Sequence, residues 1–210
     1  MHPCPLCHAP VSPYAEDKHR RYWQCQCCRL VFADPASHLA AAAEKAVYDL
    51  HQNSADDDGY RRFLERLSIP LLARLQPGQR GLDFGCGPGP VLASMLEKAG
   101  MQMTTFDPFY APDPQRLNSC YDFVTCTEVV EHFQQPAQSW QQLADLVRPG
   151  GWLGIMTKLV ISPARFASWH YKNDPTHVSF YSEATFAWLA SRHGFSWQRL
   201  DTDVLLLQKR

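Results

Sequence analysis

Residues 81–89, Gly-Leu-Asp-Phe-Gly-Cys-Gly-Pro-Gly, constrain this chain more than any other stretch. A short apolar run carrying Asp83 leads into three alternating glycines, Gly85, Gly87 and Gly89. Glycines at that spacing let the backbone turn tightly as it leaves a strand, and let a ligand approach main-chain N–H groups. Asp83 sets a negative charge beside the turn. A pyrophosphate would be repelled there, and a ligand with a cationic end would be held. That separates this turn from the Gly-x-Gly-x-x-Gly dinucleotide fingerprint.

Around this turn the apolar pattern alternates. It predicts strands at 81–84, 101–106, 121–127 and 152–157, with helices at 91–98 and 138–147. A helix at 182–192 and strands at 195–200 and 204–208 follow. Strand–helix alternation argues for an α/β, Rossmann-like, doubly wound sheet that is mostly parallel. The last two strands are joined by Asp201, Thr202 and Asp203 alone, so they form an antiparallel C-terminal hairpin. Upstream, residues 36–50 are rich in helix formers, and residues 51–59 read as a polar loop. A second helix is expected over 60–75, bent or interrupted by Pro70 and ended by Gln76, Pro77 and Gly78.

The acid-x-Gly-x-Gly-x-Gly pattern resembles motif I of the class I methyltransferases, which bind S-adenosylmethionine (SAM). The resemblance extends to residues 121–132, similar to that superfamily's fourth strand and following motif, and to residues 148–153, similar to the turn before its fifth strand. It implies a seven-stranded sheet and methyl transfer from SAM. It also implies cofactor contacts from Asp83, Gly85, Gly87, Gly89, Asp107 and Glu128. Asp107 ends the second strand, 18 residues after Gly89, where a carboxylate can accept from both ribose hydroxyls. The alternative for Asp107 is a turn residue before Pro108. Only 13 residues separate Asp107 from Tyr121, and they include Pro108, Pro112 and Pro114. That is too short for the usual helix and third strand, so the edge strand is expected to be missing or vestigial, leaving adenine recognition without a clear counterpart.

Methyl transfer needs an aligned nucleophile and, where the acceptor is protonated, a base. Residues 169–181 follow the fifth strand, are dense in polar and aromatic groups, and are expected to roof the substrate pocket. His177 is the first candidate base because histidine titrates near neutrality, with His170 and Tyr171 behind it. The alternative for His177 is structural packing beneath the roof. Glu128, Glu131 and His132 share a face if their segment is helical. They are similar to a Glu-x-x-Glu-His motif that binds a divalent ion in some ubiquinone-pathway O-methyltransferases and small-RNA 2′-O-methyltransferases. A second divalent ion there, with His177 as a further ligand, is weighed against plain hydrogen bonding near the cofactor. His51 and Tyr60 are candidates to close over the cofactor, with a solvated loop the favoured alternative for His51. Ser182 is expected to cap the last helix without a full capping box, Thr185 standing where Glu would be. Cys86 is expected to pack as a small hydrophobe, and Cys120 and Cys126 as buried strand thiols.

The N-terminus carries a separate signal. Cys4-x2-Cys7 and Cys25-x2-Cys28 are divided by 17 residues, the arrangement of two knuckles closing a tetrahedral zinc site. Residues 21–24 and 30–32 read as a hairpin around the second knuckle. Cys27 can substitute for Cys25 or Cys28, although the x2 spacing favours the latter pair. Residues 1–34 are too few to bury a core, so metal would supply their folding energy, and four thiolates make the zinc structural. The alternative is reduced cysteines in a tail. The expected partition is therefore a zinc ribbon at 1–34, a helical linker at 35–77 and a methyltransferase domain at 78–210.

The formal net charge of -1 argues against a nucleic-acid partner without excluding a local basic patch. No apolar run is long enough for a membrane span, and the N-terminus lacks signal-peptide features, so the expected compartment is the cytoplasm. The near-neutral charge and the aromatic segment at 169–181 favour a small-molecule or carrier-bound acceptor, and the Glu-x-x-Glu-His resemblance alone slightly favours oxygen. An RNA methyltransferase gripping RNA with its ribbon, and a non-catalytic SAM-binding interaction protein, are the alternatives. Oligomeric state is not legible in the sequence.

Overall fold

The computed structural model describes residues 3–50 and 56–210. The chain opens with β1 (Val11–Glu16), β2 (Arg21–Cys25) and β3 (Val31–Ala33), an antiparallel meander whose two ends carry the cysteine pairs. β1 is a strand the sequence pattern did not single out, because Pro13 and Tyr14 break its alternation. A 3-10 turn at Pro35–Ser37 leads to α1 (Ala41–Tyr48), shorter than the expected 36–50. Residue 51, and with it the expectation placed on His51, lies outside the described residues.

α2 (Asp58–Leu72) is capped by Asp57, whose carboxylate accepts from the Gly59 and Tyr60 amides. Pro70 does not interrupt it as expected; the helix runs through Pro70 and ends two residues later, at Leu72. A proline there removes a hydrogen bond only in the last turn. Leu64, Leu67 and Leu71 of α2 are buried against the sheet.

The sheet begins with β4 (Arg80–Phe84), crosses through α3 (Val91–Lys98) to β5 (Gln102–Phe106), and returns to β6 (Tyr121–Thr127) on the other side of β4. β6 is buried along most of its length on both faces, as a central parallel strand should be. α4 (Pro136–Leu146) runs directly into β7 (Val147–Met156), which absorbs the expected 148–151 turn at a register irregularity. After α5 (Pro163–Ala167) and β8 (Ser179–Phe180) come α6 (Glu183–His193), β9 (Phe195–Arg199) and β10 (Val204–Lys209).

The large sheet has six strands in the order β5-β4-β6-β7-β10-β9. β10 is antiparallel to both neighbours and enters between β7 and β9. Among the described residues the seventh strand implied by the resemblance is absent, in line with the short proline-rich 108–120 segment; an isolated bridge from Asp107 to Ala111 and a 3-10 turn at Pro114–Asn118 fill that edge.

Two corrections are local. Ser182 and Thr185 form a reciprocal cap, the Ser182 hydroxyl accepting from the Thr185 amide and the Thr185 hydroxyl from the Ser182 amide, each at 3.2 Å. A threonine hydroxyl replaces the expected glutamate. Cys120 is exposed, not buried, because it precedes β6; Cys126, inside β6, is buried as expected.

β8 does not join the large sheet. It pairs antiparallel with β3, so the order of the small sheet is β1-β2-β3-β8. The apolar core is continuous as well: Cys4, Leu6, Leu30 and Phe32 pack in one cluster with Trp140 of α4 and Phe186 of α6.

Candidate functional site

The glycine turn is shaped by backbone and by one neighbouring strand. Gly85 and Gly87 have φ of 75° and 63°, a region L side chains rarely adopt. At Gly85 a Cβ would also lie 2.5 Å from Val129. The Gly85 and Cys86 amides both donate to the Phe106 carbonyl, at 2.7 and 3.2 Å. The Gly87 amide donates to Asp107 Oδ2 at 3.0 Å, and Asp107 Oδ1 accepts from the Phe109 and Tyr110 amides. Asp107 therefore performs the turn function open to it before Pro108, and holds the glycine loop at the same time. Cys86 is half-buried beside them.

Asp83 is 3% exposed and accepts from the Thr125 hydroxyl at 2.7 Å. Burial first, then the nearby Asp107 charge, pushes its carboxyl up to about 6 against that hydrogen bond. Glu128 follows β6 with φ 52°, its amide donating to the Met156 carbonyl at 2.9 Å. Its Oε1 is buried without a hydrogen-bond partner. Burial, with the Asp203 carboxylate adding to it, pushes Glu128 up to about 7. A buried acceptor without a donor is costly, and a ligand donor would relieve it.

These groups line a cavity of about 680 Å³. His132, His177, Asp174, Glu44 and Tyr48 of α1 and Tyr60 of α2 line the same cavity. Tyr60, a candidate to close over the cofactor, lines this cavity. Glu44 and Tyr48 are site residues the sequence did not disclose. The Tyr48 hydroxyl donates to Glu44 at 2.7 Å, and its ring meets His132 edge-on at 5.1 Å. The only available signal was one polar pair in an alanine-rich helix.

His177 is 8% exposed, and its Nδ1 lies 2.7 Å from the Tyr171 carbonyl. A carbonyl only accepts, so the neutral ring carries its proton on Nδ1 and Nε2 is the basic nitrogen. Nε2 is 3.9 Å from Asp174 Oδ2, and the ring stands 4.7 Å from that of His132. Tyr171 is buried, and its hydroxyl donates to Glu131. His170 is exposed, 3.2 Å from the Lys158 ammonium, and outside the cavity. Of the candidate bases, the fold brings His177 alone to the cavity.

Glu128, Glu131 and His132 do not share a helical face. Glu128 is left-handed and residues 130–132 form a 3-10 turn, which turns Glu131 fully into the interior. The group that converges is Glu131, His132 and His177, with one ligand atom from each within 4.8 Å of the others. Burial, reinforced by Glu128, pushes Glu131 up to about 8.

At the N-terminus the Sγ atoms of Cys4, Cys7, Cys25 and Cys28 lie within 4.8 Å of one another. Cys4 and Cys28 are 3.6 Å apart, and Cys7 and Cys25 3.3 Å. A tetrahedron with Zn–S bonds of about 2.3 Å has sulfurs roughly 3.8 Å apart, so this donor set fits zinc. Each knuckle ends in a left-handed residue, His8 (φ 60°) and Arg29 (φ 62°). Cys27 is exposed and outside the cluster.

A family model described as a methyltransferase domain matches residues 56–199. Curated relatives include the ubiquinone biosynthesis O-methyltransferases of Albidiferax ferrireducens, 34% identical over 42% of this chain and 44% of the relative, and of Xanthomonas axonopodis, 34% identical over 53% and 58%. The match thus spans about half the length of these relatives. Among solved structures, an O-methyltransferase family protein from Burkholderia thailandensis superposes with a TM-score of 0.54 at 15% identity, over 80% of this chain and 59% of that one. The 1,6-didemethyltoxoflavin-N1-methyltransferase of the same organism, solved with 1,6-didemethyltoxoflavin and S-adenosylhomocysteine, gives 0.50 at 18% identity, over 94% and 99%. At such identities the likeness speaks for the fold. With most of its length under the family model and its glycine turn built into the sheet this fold requires, the chain belongs to the class I SAM-dependent methyltransferases.

Proposed function

We propose that the cavity binds SAM at its glycine end and transfers the methyl group to a small-molecule or carrier-bound acceptor, at oxygen, near His177. The observation that carries this is that Asp83, the glycine turn, Asp107 and His177 all line one cavity. Asp107 faces the ribose, Asp83 the cationic part of the cofactor, and the orphan Glu128 Oε1 takes a donor from it. When bound, SAM supplies an activated sulfonium methyl, and S-adenosylhomocysteine leaves as the C–S bond breaks. The chain's own task is alignment and proton removal. His177 Nε2 takes the acceptor hydroxyl's proton while that oxygen forms its bond to the methyl carbon. Tyr171 acts through its carbonyl, which sets the His177 tautomer, and His170 has no part in this scheme.

A second reading rests on the Glu131, His132 and His177 cluster. A divalent ion held there would lower the pKa of an acceptor hydroxyl, and His177 would then be a ligand instead of the base. The O-methyltransferase names of the curated relatives support oxygen as the acceptor atom. The zinc, held by the four thiolates of the ribbon, has a structural task, with residues 1–34 as the ribbon, 35–77 as the helical linker and 78–210 as the methyltransferase domain.

Calorimetric titration of the zinc-replete protein with S-adenosylhomocysteine, with Asp107→Ala alongside, tests the cofactor end. Micromolar binding weakened about tenfold or more by the substitution is expected, the loss of a charge-assisted hydrogen bond. No binding to the unsubstituted protein would sink the proposal and favour an interaction protein. Labelled SAM with cell extract then distinguishes a small-molecule product from labelled RNA.

A further inference from the structure

The small sheet and the roof of the cavity are tied by a residue that the proposed chemistry leaves unused. Arg20 lies in the turn between β1 and β2. Its Nη1 donates to the carbonyls of His177 at 2.9 Å and Pro175 at 3.4 Å, and its Nη2 to those of Asp174 at 2.9 Å and Lys172. Its Nε donates to the Tyr22 hydroxyl at 3.1 Å. Asp17 in the same turn accepts from the His19 and Arg20 amides, each at 2.9 Å, and so shapes the loop that aims the guanidinium. Asp17 also takes the Lys172 ammonium at 2.6 Å, with the lysine side chain 6% exposed. Directly after His177, the Ala33 amide donates to the Val178 carbonyl at 2.9 Å, and β8 pairs with β3. His177 therefore sits between two attachments to the cysteine-bearing sheet.

Four carbonyl dipoles aimed at one point repel unless a multidentate donor fills that point. A guanidinium offers five N–H groups in a rigid fork, which an ammonium cannot reproduce. Without it the turn at 172–177 opens toward water to satisfy its carbonyls. The Tyr171 carbonyl that fixes the His177 tautomer lies next to this turn.

We propose that Arg20 is a positioning residue for His177, and that the cysteine ribbon serves the methyltransferase domain as the template that sets the acceptor end of its cavity. This rests on the proposed function in one respect, that His177 faces the acceptor.

The test uses the zinc-loaded full chain and four variants: Arg20→Ala, Arg20→Lys, Lys172→Met to loosen the tie from the roof side, and Arg21→Ala as an exposed neighbour control. Amide hydrogen exchange, the 15N spectrum of the histidine rings and S-adenosylhomocysteine affinity are read. For Arg20→Ala, exchange across 171–178 is expected to rise about tenfold, the equivalent of one charge-assisted hydrogen bond. The His177 ring should pass from a single Nδ1–H tautomer to a mixture. Zinc content, protection of 4–33 and cofactor affinity should hold. Arg20→Lys should recover only part, and Arg21→Ala should change nothing. If Arg20→Ala also releases zinc, Lys172→Met decides, with the same roof signature at smaller amplitude and zinc retained. Unchanged exchange and tautomer in both variants, or loss spread evenly over ribbon and roof in both, would overturn the proposal. None of these readouts needs an acceptor. A clamp that behaves as expected without any methyl transfer would therefore count against the proposed function and leave the clamp standing.

Discussion

At the glycine end of the cavity, Asp83, Gly85, Gly87 and Asp107 come from two adjacent parallel strands and the turns after them, held by backbone amides. At the histidine end, His132 and His177 are 45 residues apart in sequence, and the 172–177 turn that carries His177 is held by Arg20, 157 residues upstream of His177. The first end is a local device that any chain with this strand–turn pattern can build. The second is an assembly in which a cysteine ribbon, a 3-10 turn and a roof segment must dock before the histidines meet. The two ends should therefore fail in different ways.

The largest break is expected from the metal. Cys28→Ser removes one of four clustered thiols, and the zinc proposed there would add binding energy to folding, about 10 kcal/mol in zinc-binding peptides. Zinc content should fall and exchange protection should be lost across 4–33 and 171–180. The glycine end should still bind S-adenosylhomocysteine by calorimetry. Equal loss at both ends would mean that they form one cooperative unit.

At the histidine end, His177→Gln should reduce methyl transfer about 10²–10⁴-fold, the range of a general base, while cofactor affinity is unchanged. A drop in cofactor affinity of the same size would move His177 from the acceptor to the cofactor.

Within the glycine turn, Gly85→Ala meets both a positive φ and Val129 at 2.5 Å, while Gly87→Ala meets only the positive φ, with nothing within 4 Å. Chemical denaturation should give a loss of about 2–4 kcal/mol for the first and about 1–2 kcal/mol for the second. Equal losses would mean that the turn relaxes away from Val129.

The smallest effect is a pH dependence of opposite sign in two measurements. The Asp83 carboxyl is held up to about 6, against an ordinary value of 3.8. The folded state therefore binds the proton more tightly than the unfolded chain. Its contribution to stability is present below the unfolded value and lost as pH rises through about 6. Binding of a cationic ligand needs the carboxylate, so affinity for S-adenosylhomocysteine, whose ammonium remains, should fall as pH drops below about 6. Asp83→Asn should remove both slopes. Retention of the affinity slope would place the titrating group elsewhere, with Glu128, held up to about 7, next in line.

The sequence by itself determined the parts that depend on neighbours along the chain. The strand, acid and glycines of 81–89 specify a turn because φ near +60° to +75° is cheap only for glycine. Two Cys-x2-Cys knuckles specify four converging thiols, since each places its pair on one tight turn. The proline-rich 108–120 segment specified the missing edge strand by its length alone. Tertiary structure decided what sequence distance hides. Glu131 turns inward and joins His132 and His177 instead of Glu128, because a 3-10 turn follows the left-handed Glu128 in place of the helix that would have aligned all three. Tyr171 and His170 look equivalent as candidate bases until packing buries one against Glu131 and leaves the other beside Lys158. The Arg20 fork and the Asp17–Lys172 ion pair bridge more than 150 positions, and no periodicity or spacing rule reaches that far. Local dihedral energetics can be read from consecutive residues. Complementarity between a donor fork and four carbonyls exists only once both surfaces have folded.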